Sequence, residues 1–270
     1  MVFHYENHIF EEPGLPVLYF PIRREPGSEC GWLNWHKDLE LTLVRSGEGW
    51  FQCDNERIPA AAGDVVVFNA DELHNSYTAG GILELIVLVI DSDFLQELGV
   101  GYPETRFENR LRDPRCTSLI ERIAQEIQAN APYRRAAVKA LVAELAVLLC
   151  RSHASAREPG EDLCRSLSAV RRALRYIGDH LTEPLTLDDI CAQVGFSKYH
   201  FCRIFREATN KTVVEYINGL RCMQAHVLLA SGATVAQAAE ESGFPNPSYF
   251  TTQYKKHMGV LPSEDRRSAH

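Results

Sequence analysis

The 270-residue chain has no long apolar run, no closely spaced cysteines and no low-complexity stretch. Its most apolar segment, ILELIVLVI, is nine residues long and contains Glu84, far short of the ~20 residues that a membrane-spanning helix needs. The first residues, MVFHYENHIFEEP, carry acids and a proline where a secretory leader would have a basic and then an apolar region. The expectation is a cytoplasmic chain with no membrane partner. Eight cysteines are present, but none forms C-x-x-C or a Cys/His group with zinc spacing. In a reducing compartment such thiols behave as small buried hydrophobes. The remainder is ordinary, with 45% hydrophobic and 24% charged residues, the make-up of a globular protein long enough for two domains.

The net charge of −8 is unevenly spread. Residues 165–270 hold 13 Lys+Arg against 10 Asp+Glu, whereas residues 1–152 hold 14 against 23. Between them, residues 153–164 (HASAREPGEDLC) are small, polar and broken by Pro159-Gly160, which marks a linker. Residues 15–90 read as short strands. TLVRSGEGWFQC predicts a hairpin around Gly47 and Gly49, AAGDVVVFNA a strand entered through Gly63, and ILELIVLVI a buried strand. From Asp113 to Arg151 the period becomes helical. Cys116, Ile120, Ile123 and Ile127 form one stripe, and Val138, Leu141, Leu145 and Leu148 form another. The second stripe suits either a contact between two copies of the chain or the core of one copy. Beyond the linker every signal is helical.

The back half contains a repeat. TLDDICAQVGF begins at Thr186 and TVAQAAEESGF at Thr234, and after one inserted residue Phe201/Phe250 and Phe205/Tyr254 also correspond. In each copy a Thr N-cap with an acid or amide three residues on (Thr186/Asp189, Thr234/Gln237) opens a short helix. Gly195 or Gly243 ends it, Phe196 or Phe244 follows, and a second amphipathic helix begins. That plan is a helix-turn-helix. Thr212 and Glu215 cap a further helix that runs to about Ala230, with Gly219 inside it as a point where a bend is cheap. Its nineteen residues span about 28 Å at ~1.5 Å each, which is close to one ~34 Å turn of DNA.

These stretches resemble the DNA-binding domain of the AraC/XylS transcription regulators. The resemblance rests on LTLDDICAQVGFSKYHFCRIFREATNKTVVEYINGLRCMQAHVLL and GFPNPSYFTTQYKKHMGVLPSE. It implies that the second helix of each copy enters a major groove of double-stranded DNA. Lys198, Tyr199, Cys202, Arg203 and Arg206 then face outward on the first, and Ser248, Thr251, Thr252, Lys255 and Lys256 on the second. Arg203 is the candidate for bidentate contact with guanine, and Arg206 for a phosphate. Two departures stand out. Thr252 occupies the place of the family's usual arginine, and Asp265 that of its closing tyrosine.

Residues 34–74 resemble the cupin-type sensor barrel that precedes this domain in many family members, through NWHKDLELTLVRSGEG and AAGDVVVFNADELH. Alternation puts Asn34, His36, Asp38, Glu40 and Thr42 on one strand face and Trp35, Leu39, Leu41 and Leu43 on the other. By pattern the polar face meets solvent; by resemblance it lines a ligand cavity. The expected effector-binding residues are Asn34, His36, Asp38, Glu40, His74 and Trp35, with Trp32 and Trp50 as further stacking surfaces. Metal-binding cupins carry three histidines and a glutamate here. In this chain Asn34 replaces the first histidine, and His36, Glu40 and His74 remain as a reduced candidate set for zinc, iron or manganese. The expectation is therefore no cofactor, with these groups hydrogen-bonding a small polar effector such as a sugar.

The fold class expected is α+β: a cupin-like β-barrel with appended helices over 1–152, the linker 153–164, and an all-α domain with two helix-turn-helix motifs over 165–270. The resemblance implies a homodimeric transcription activator, not an enzyme, that works with RNA polymerase. A cupin-type metalloenzyme fused to a DNA-binding domain is the alternative.

Overall fold

A computed structural model describes residues 6, 8–10, 12, 14–26, 33–155 and 161–268, including all of their side chains except those of 161–164 and 268. The chain divides into two compact units, Tyr5–Pro159 and Gly160–His270.

Among the described residues the first unit has eight strands: β1 (Val17–Arg24), β2 (Leu39–Ser46), β3 (Glu48–Cys53), β4 (Glu56–Ala61), β5 (Val65–Phe68), β6 (His74–Thr78), β7 (Leu83–Ile90) and β8 (Arg110–Leu111). They form two antiparallel sheets, β1-β7-β2-β5-β8 and β4-β3-β6. Alternation along the strands gives the larger sheet two buried faces. Leu39, Leu41, Leu43, Val65, Val67, Ile86, Leu88 and Ile90 pack on one side against the helices α2 (Pro114–Ala129) and α3 (Arg134–Ser152). Val44, Val66, Phe68, Leu85, Val87 and Val89 face Phe51, Cys53 and Ala60 of the smaller sheet. A short helix, α1 (Ser92–Glu97), follows β7 with Asp91 as its cap.

The hairpin expected around Gly47 does not form. β2 lies between β5 and β7, while β3 lies between β4 and β6. A register shift between Val44 and Ser46, then a positive φ of 83° at Gly47, turn the chain from one sheet into the other. A Cβ at Gly47 would stand 2.2 Å from the Ile82 carbonyl oxygen, so only glycine fits this crossing.

The helical stripes are core of a single copy. Cys116, Ile120, Ile123, Val138, Leu141 and Leu145 are buried together under the sheet, with Ile127 and Leu148 packed at the edge. This answers the question left open for the Val138/Leu141/Leu145/Leu148 stripe in favour of intramolecular packing. The N-terminal part of the expected linker is ordered against the first unit: Ser155 N–H donates to the Arg106 carbonyl and Glu108 N–H to that of His153. Residues 161–164 open the next helix, and residues 156–160 lie outside the described residues.

Among the described residues the elements of the second unit are all helices: α4 (Glu161–Asp179), α5 (Leu187–Val194), α6 (Lys198–Thr209), α7 (Val213–Ala230), α8 (Val235–Glu241), α9 (Pro247–Met258) and α10 (Pro262–Ser268). Reciprocal capping boxes at Thr186/Asp189, Thr212/Glu215 and Thr234/Gln237 start α5, α7 and α8. Asn246 caps α9, whose first residue is Pro247. α7 continues through Gly219. Its buried Arg221 donates to the carbonyls of Leu181 and Glu183, both at 2.8 Å. Cys222, Ala225 and Leu229 of α7, Ala238 and Ala239 of α8, Phe244, and Phe250 and Tyr254 of α9 share one core. Phe244 is buried between these helices. Phe196 is only half-buried and stacks on His200 instead. Asp265, at the place of the family's closing tyrosine, accepts from the Tyr254 hydroxyl and pairs with His226 Nδ1 at 2.7 Å, pinning α10 to α9 and α7. Among the described residues no helix is long and apolar enough to cross a membrane.

Candidate effector cavity and nucleic-acid interface

A cavity of about 260 Å³ lies between the two sheets of the first unit. Its apolar walls are Phe20 and Ile22 of β1, Leu85, Val87 and Val89 of β7, and Phe68. Its polar groups come from four places: Glu40 and Thr42 on β2, Asn34 just before it, His74, Asn75 and Ser76 on β6, and Arg24 on β1. Glu6 and His8 from the N-terminal segment complete it. The polar face of β2 therefore turns into the barrel and not towards solvent. The reason is that both faces of this strand are covered, one by the helices and one by the smaller sheet.

The expected residues divide. Asn34, Glu40 and His74 line the cavity, and His36 sits behind them, buried, with Nε2 3.2 Å from Glu40 Oε2. His74 Nε2 lies 3.6 Å from the same oxygen. Thr42 Oγ1 donates to Glu40 Oε1 at 3.0 Å. Burial pushes the Glu40 carboxyl up, but the hydrogen bonds and charges of the two imidazoles outweigh it and hold the group well below the usual carboxylate range. Burial likewise opposes a charge on His74, and Glu40 outweighs it, raising that imidazole. Asp38 does not line the cavity. It accepts from Ser92 N–H at 3.1 Å and meets His8 Nδ1 at 3.0 Å, so it fastens the N-terminal segment to the barrel. Burial lowers His8, but its bonds to Asp38 and Glu6 carry it up to about 9.

Among the described residues no tryptophan lines the cavity. Trp35 is wholly buried away from the cavity, with Glu6 N–H donating to its carbonyl at 3.0 Å. Trp50 stacks on Tyr77 at 3.7 Å and carries Arg57 on its ring. Trp32 lies outside the described residues. Phe20, Ile22, Arg24, Asn75, Ser76, Glu6 and His8 were not anticipated. They reach the cavity by pairings and chain crossings that leave no spacing signal.

A larger groove, about 600 Å³, runs between the outer sides of α2 and α3, past Arg115, Arg122, Glu144, Val147 and Arg151. Nearly all of these are exposed, so it is a surface groove and does not enclose a ligand. Near it, Asp113, Cys116 and His153 come together. There Asp113 is already engaged as the α2 cap, by Arg115 at 2.7 Å and by His153 at 3.0 Å. Burial pushes the Cys116 thiol up to about 11, so it stays protonated.

In the second unit α6 and α9 present the outward residues anticipated for DNA. Tyr199, Lys198, Arg203 and Arg206 are exposed on α6, and Cys202 is half-buried. Lys198 pairs with Asp188 at 2.7 Å and Arg203 with Glu207 at 3.3 Å. On α9, Ser248, Thr252, Lys255 and Lys256 are exposed and Thr251 is half-buried. Both threonine hydroxyls donate back along their own helix, Thr251 to Pro247 and Thr252 to Ser248. That spends their protons locally and leaves acceptor capacity for a base edge or phosphate.

Comparison with known proteins agrees with this division. Residues 15–146 match the family model described as an AraC-like ligand binding domain, and residues 168–268 match a helix-turn-helix domain. The transcriptional activator RhaS of Shigella sonnei is 25% identical over 268 residues, which is 95% of this chain and 91% of that protein. RhaR of Cronobacter sakazakii, also a transcriptional activator, is 25% identical over 84% of this chain and 83% of its own length. In fold, the chain is similar to a crystal structure of apo ToxT from Vibrio cholerae, with a TM-score of 0.50 and 17% identity over 94% of this chain and 98% of that one. With one unit matching the ligand-binding module and the other the helix-turn-helix module, the chain belongs to the AraC family of DNA-binding transcription regulators.

Proposed function

We propose that the protein is a cytoplasmic, homodimeric transcription activator whose effector is a small polar molecule, such as a sugar, held in the barrel cavity. The observation that carries this reading is the cavity itself, in which Glu40, Thr42, Asn75 and Ser76 face a half-open space backed by apolar walls. Such a site binds small molecules by apolar contact with a few placed polar groups. Its 260 Å³ is room for roughly nine waters at ~30 Å³ each, so the effector is a small metabolite. It acts by binding one arrangement of the regulator more tightly than another. α6 and α9 read the operator, and RNA polymerase is the downstream partner. Neither unit needs a catalytic step to account for it.

The experiment is a thermal-shift screen of the purified chain against sugars and other small metabolites, followed by a reporter assay with any hit. A ligand that binds only the native state raises the melting temperature. Thr42→Val and Ser76→Ala should abolish both the shift and the transcriptional response. A response that survives both substitutions would place the effector elsewhere.

A further inference from the structure

The inward face of β1 ends on a cation. Phe20, Ile22 and Arg24 alternate along it, and all three line the cavity. Arg23, on the other face, is exposed and paired with Glu25 and Glu84, both at 2.9 Å. Arg24 is half-buried, and its Nε donates to Ser76 Oγ on β6 at 2.9 Å. Among the described residues this is its one hydrogen bond, and no carboxylate pairs with it. Anchoring Nε fixes the plane of the guanidinium and leaves its Nη1 and Nη2 donors for a ligand. A cation held beside the apolar side chains of Ile22 and Leu85 is costly to desolvate without an anion to answer it.

The acids of the cavity do not supply that anion. Glu40 is engaged by Thr42, His36 and His74, and Glu6 by His8. Register places Arg24 opposite Leu83 and Glu40 opposite Val89, six residues apart on β7. The guanidinium and the Glu40 group therefore belong to opposite ends of the cavity. Ser76, which holds Arg24, and His74, which meets Glu40, lie on one side of β6 two residues apart, about 7 Å at ~3.3 Å per residue. We propose that the effector is a polyhydroxy monocarboxylate, such as a sugar acid, whose carboxylate is bound by Nη1 and Nη2 of Arg24 while its distal hydroxyls donate to Glu40. A chain of about four to six carbons spans the distance between the two ends. This inference rests on the effector reading of the cavity and narrows it.

The charges at the two ends set the selectivity. A guanidinium fork matches a carboxylate by two parallel N–H···O bonds, and the apolar walls strengthen that attraction by thinning the water around it. One guanidinium balances one negative charge. A phosphate ester carries about −1.5 to −2 at pH 7, more than Arg24 alone offsets. At the far end the two imidazoles keep Glu40 ionised, so it accepts from hydroxyls and repels a second carboxylate. A neutral sugar fits the same space but leaves the guanidinium without its counter-charge.

The test uses the full-length chain, in calorimetry and thermal shift, with matched probes: galactose and glucose, their hexuronates and aldonates, their 6-phosphates and their aldarates. The monoacids should raise the melting temperature and bind about tenfold or more tighter than the neutral sugars, the phosphates or the diacids, the difference that one charge-assisted pair makes. Arg24→Gln should lower monoacid affinity about tenfold or more and so remove the preference. Arg23→Gln, on the exposed face, should keep it. Neutral sugars that bind as tightly as their monoacids overturn the proposal, and so does a panel in which no monoacid binds. An Arg24→Gln chain that retains the preference overturns it too. If that variant does not fold, the wild-type ranking of the probes decides. A neutral sugar that binds best and drives the reporter removes the charge assignment and leaves the effector reading standing. A monoacid that binds through Arg24 without changing reporter transcription keeps the site and sinks the effector reading.

Discussion

Leu145, on α3, offers a direct test of where the first unit keeps its stability. Its side chain is fully buried among Ile120, Ile123, Leu141, Leu149 and the helix-facing side of the larger sheet. Truncation to alanine removes buried methyl groups and leaves a cavity that packed helices and sheet cannot fully collapse. Core Leu→Ala changes cost about 2–5 kcal/mol, and a wholly buried position between two helices and a sheet belongs near the middle, about 3 kcal/mol. For a unit of this size each kcal/mol lowers the melting temperature by about 2–4 °C, so the expected drop is about 6–12 °C. All three tryptophans fall within the first 50 residues of the sequence, and the two described ones, Trp35 and Trp50, belong to the first unit. Their fluorescence therefore follows this unit alone, which matters because a two-unit chain does not melt as one transition. Leu145→Asp would add an unpaired buried charge and should unfold the first unit outright. The reasoning fails if Leu145→Asp leaves tryptophan fluorescence native while sedimentation shows a monomer. The stripe would then lie at a contact between copies and not in the core.

Three further outcomes concern the second unit. Arg203→Ala should weaken operator binding by about 1–3 kcal/mol and relax preference at one base pair; a uniform loss on all DNA sequences would make Arg203 a phosphate contact. At Gly243, φ is +78° and a Cβ would stand 2.7 Å from the Thr182 Cα, so Gly243→Ala should destabilise this unit by at least about 1–3 kcal/mol, and an unchanged circular-dichroism melt would contradict the turn geometry. Glu215 is held down to about 2 by the Thr212 backbone N–H, the Thr212 hydroxyl and Lys256. Because the folded value lies below the unfolded one, the capping box contributes stability above pH ~4.5 that is lost as pH falls towards 2. Acid titration of Glu215→Gln should show a flatter loss over that window, and an unaltered slope would remove the box from the acid transition.

The parts of the molecule that were legible in sequence are those whose physics is local. Thr186/Asp189, Thr212/Glu215 and Thr234/Gln237 bond across three residues, so spacing alone announces where α5, α7 and α8 begin. Gly195 and Gly243 end their turns with positive φ for the same local reason. Alternation on β2 likewise separated Glu40 and Thr42 from Leu39, Leu41 and Leu43.

What covers each face, however, depends on chain segments far away. Both faces of β2 are buried, one under α2 and α3 and one under the smaller sheet, and a period of two cannot say which neighbour lies where. The hairpin expected around Gly47 failed on the same ground, since strand pairing is chosen among β3, β5 and β7 by tertiary packing. The cavity takes Arg24, Ser76 and His8 from three separate segments. Asp265 reaches Tyr254 and His226, 11 and 39 positions away. Local hydrogen bonds and side-chain periodicity were thus written in the sequence itself. The partners of each buried polar group, and with them the site, were decided only when burial made distant segments satisfy one another.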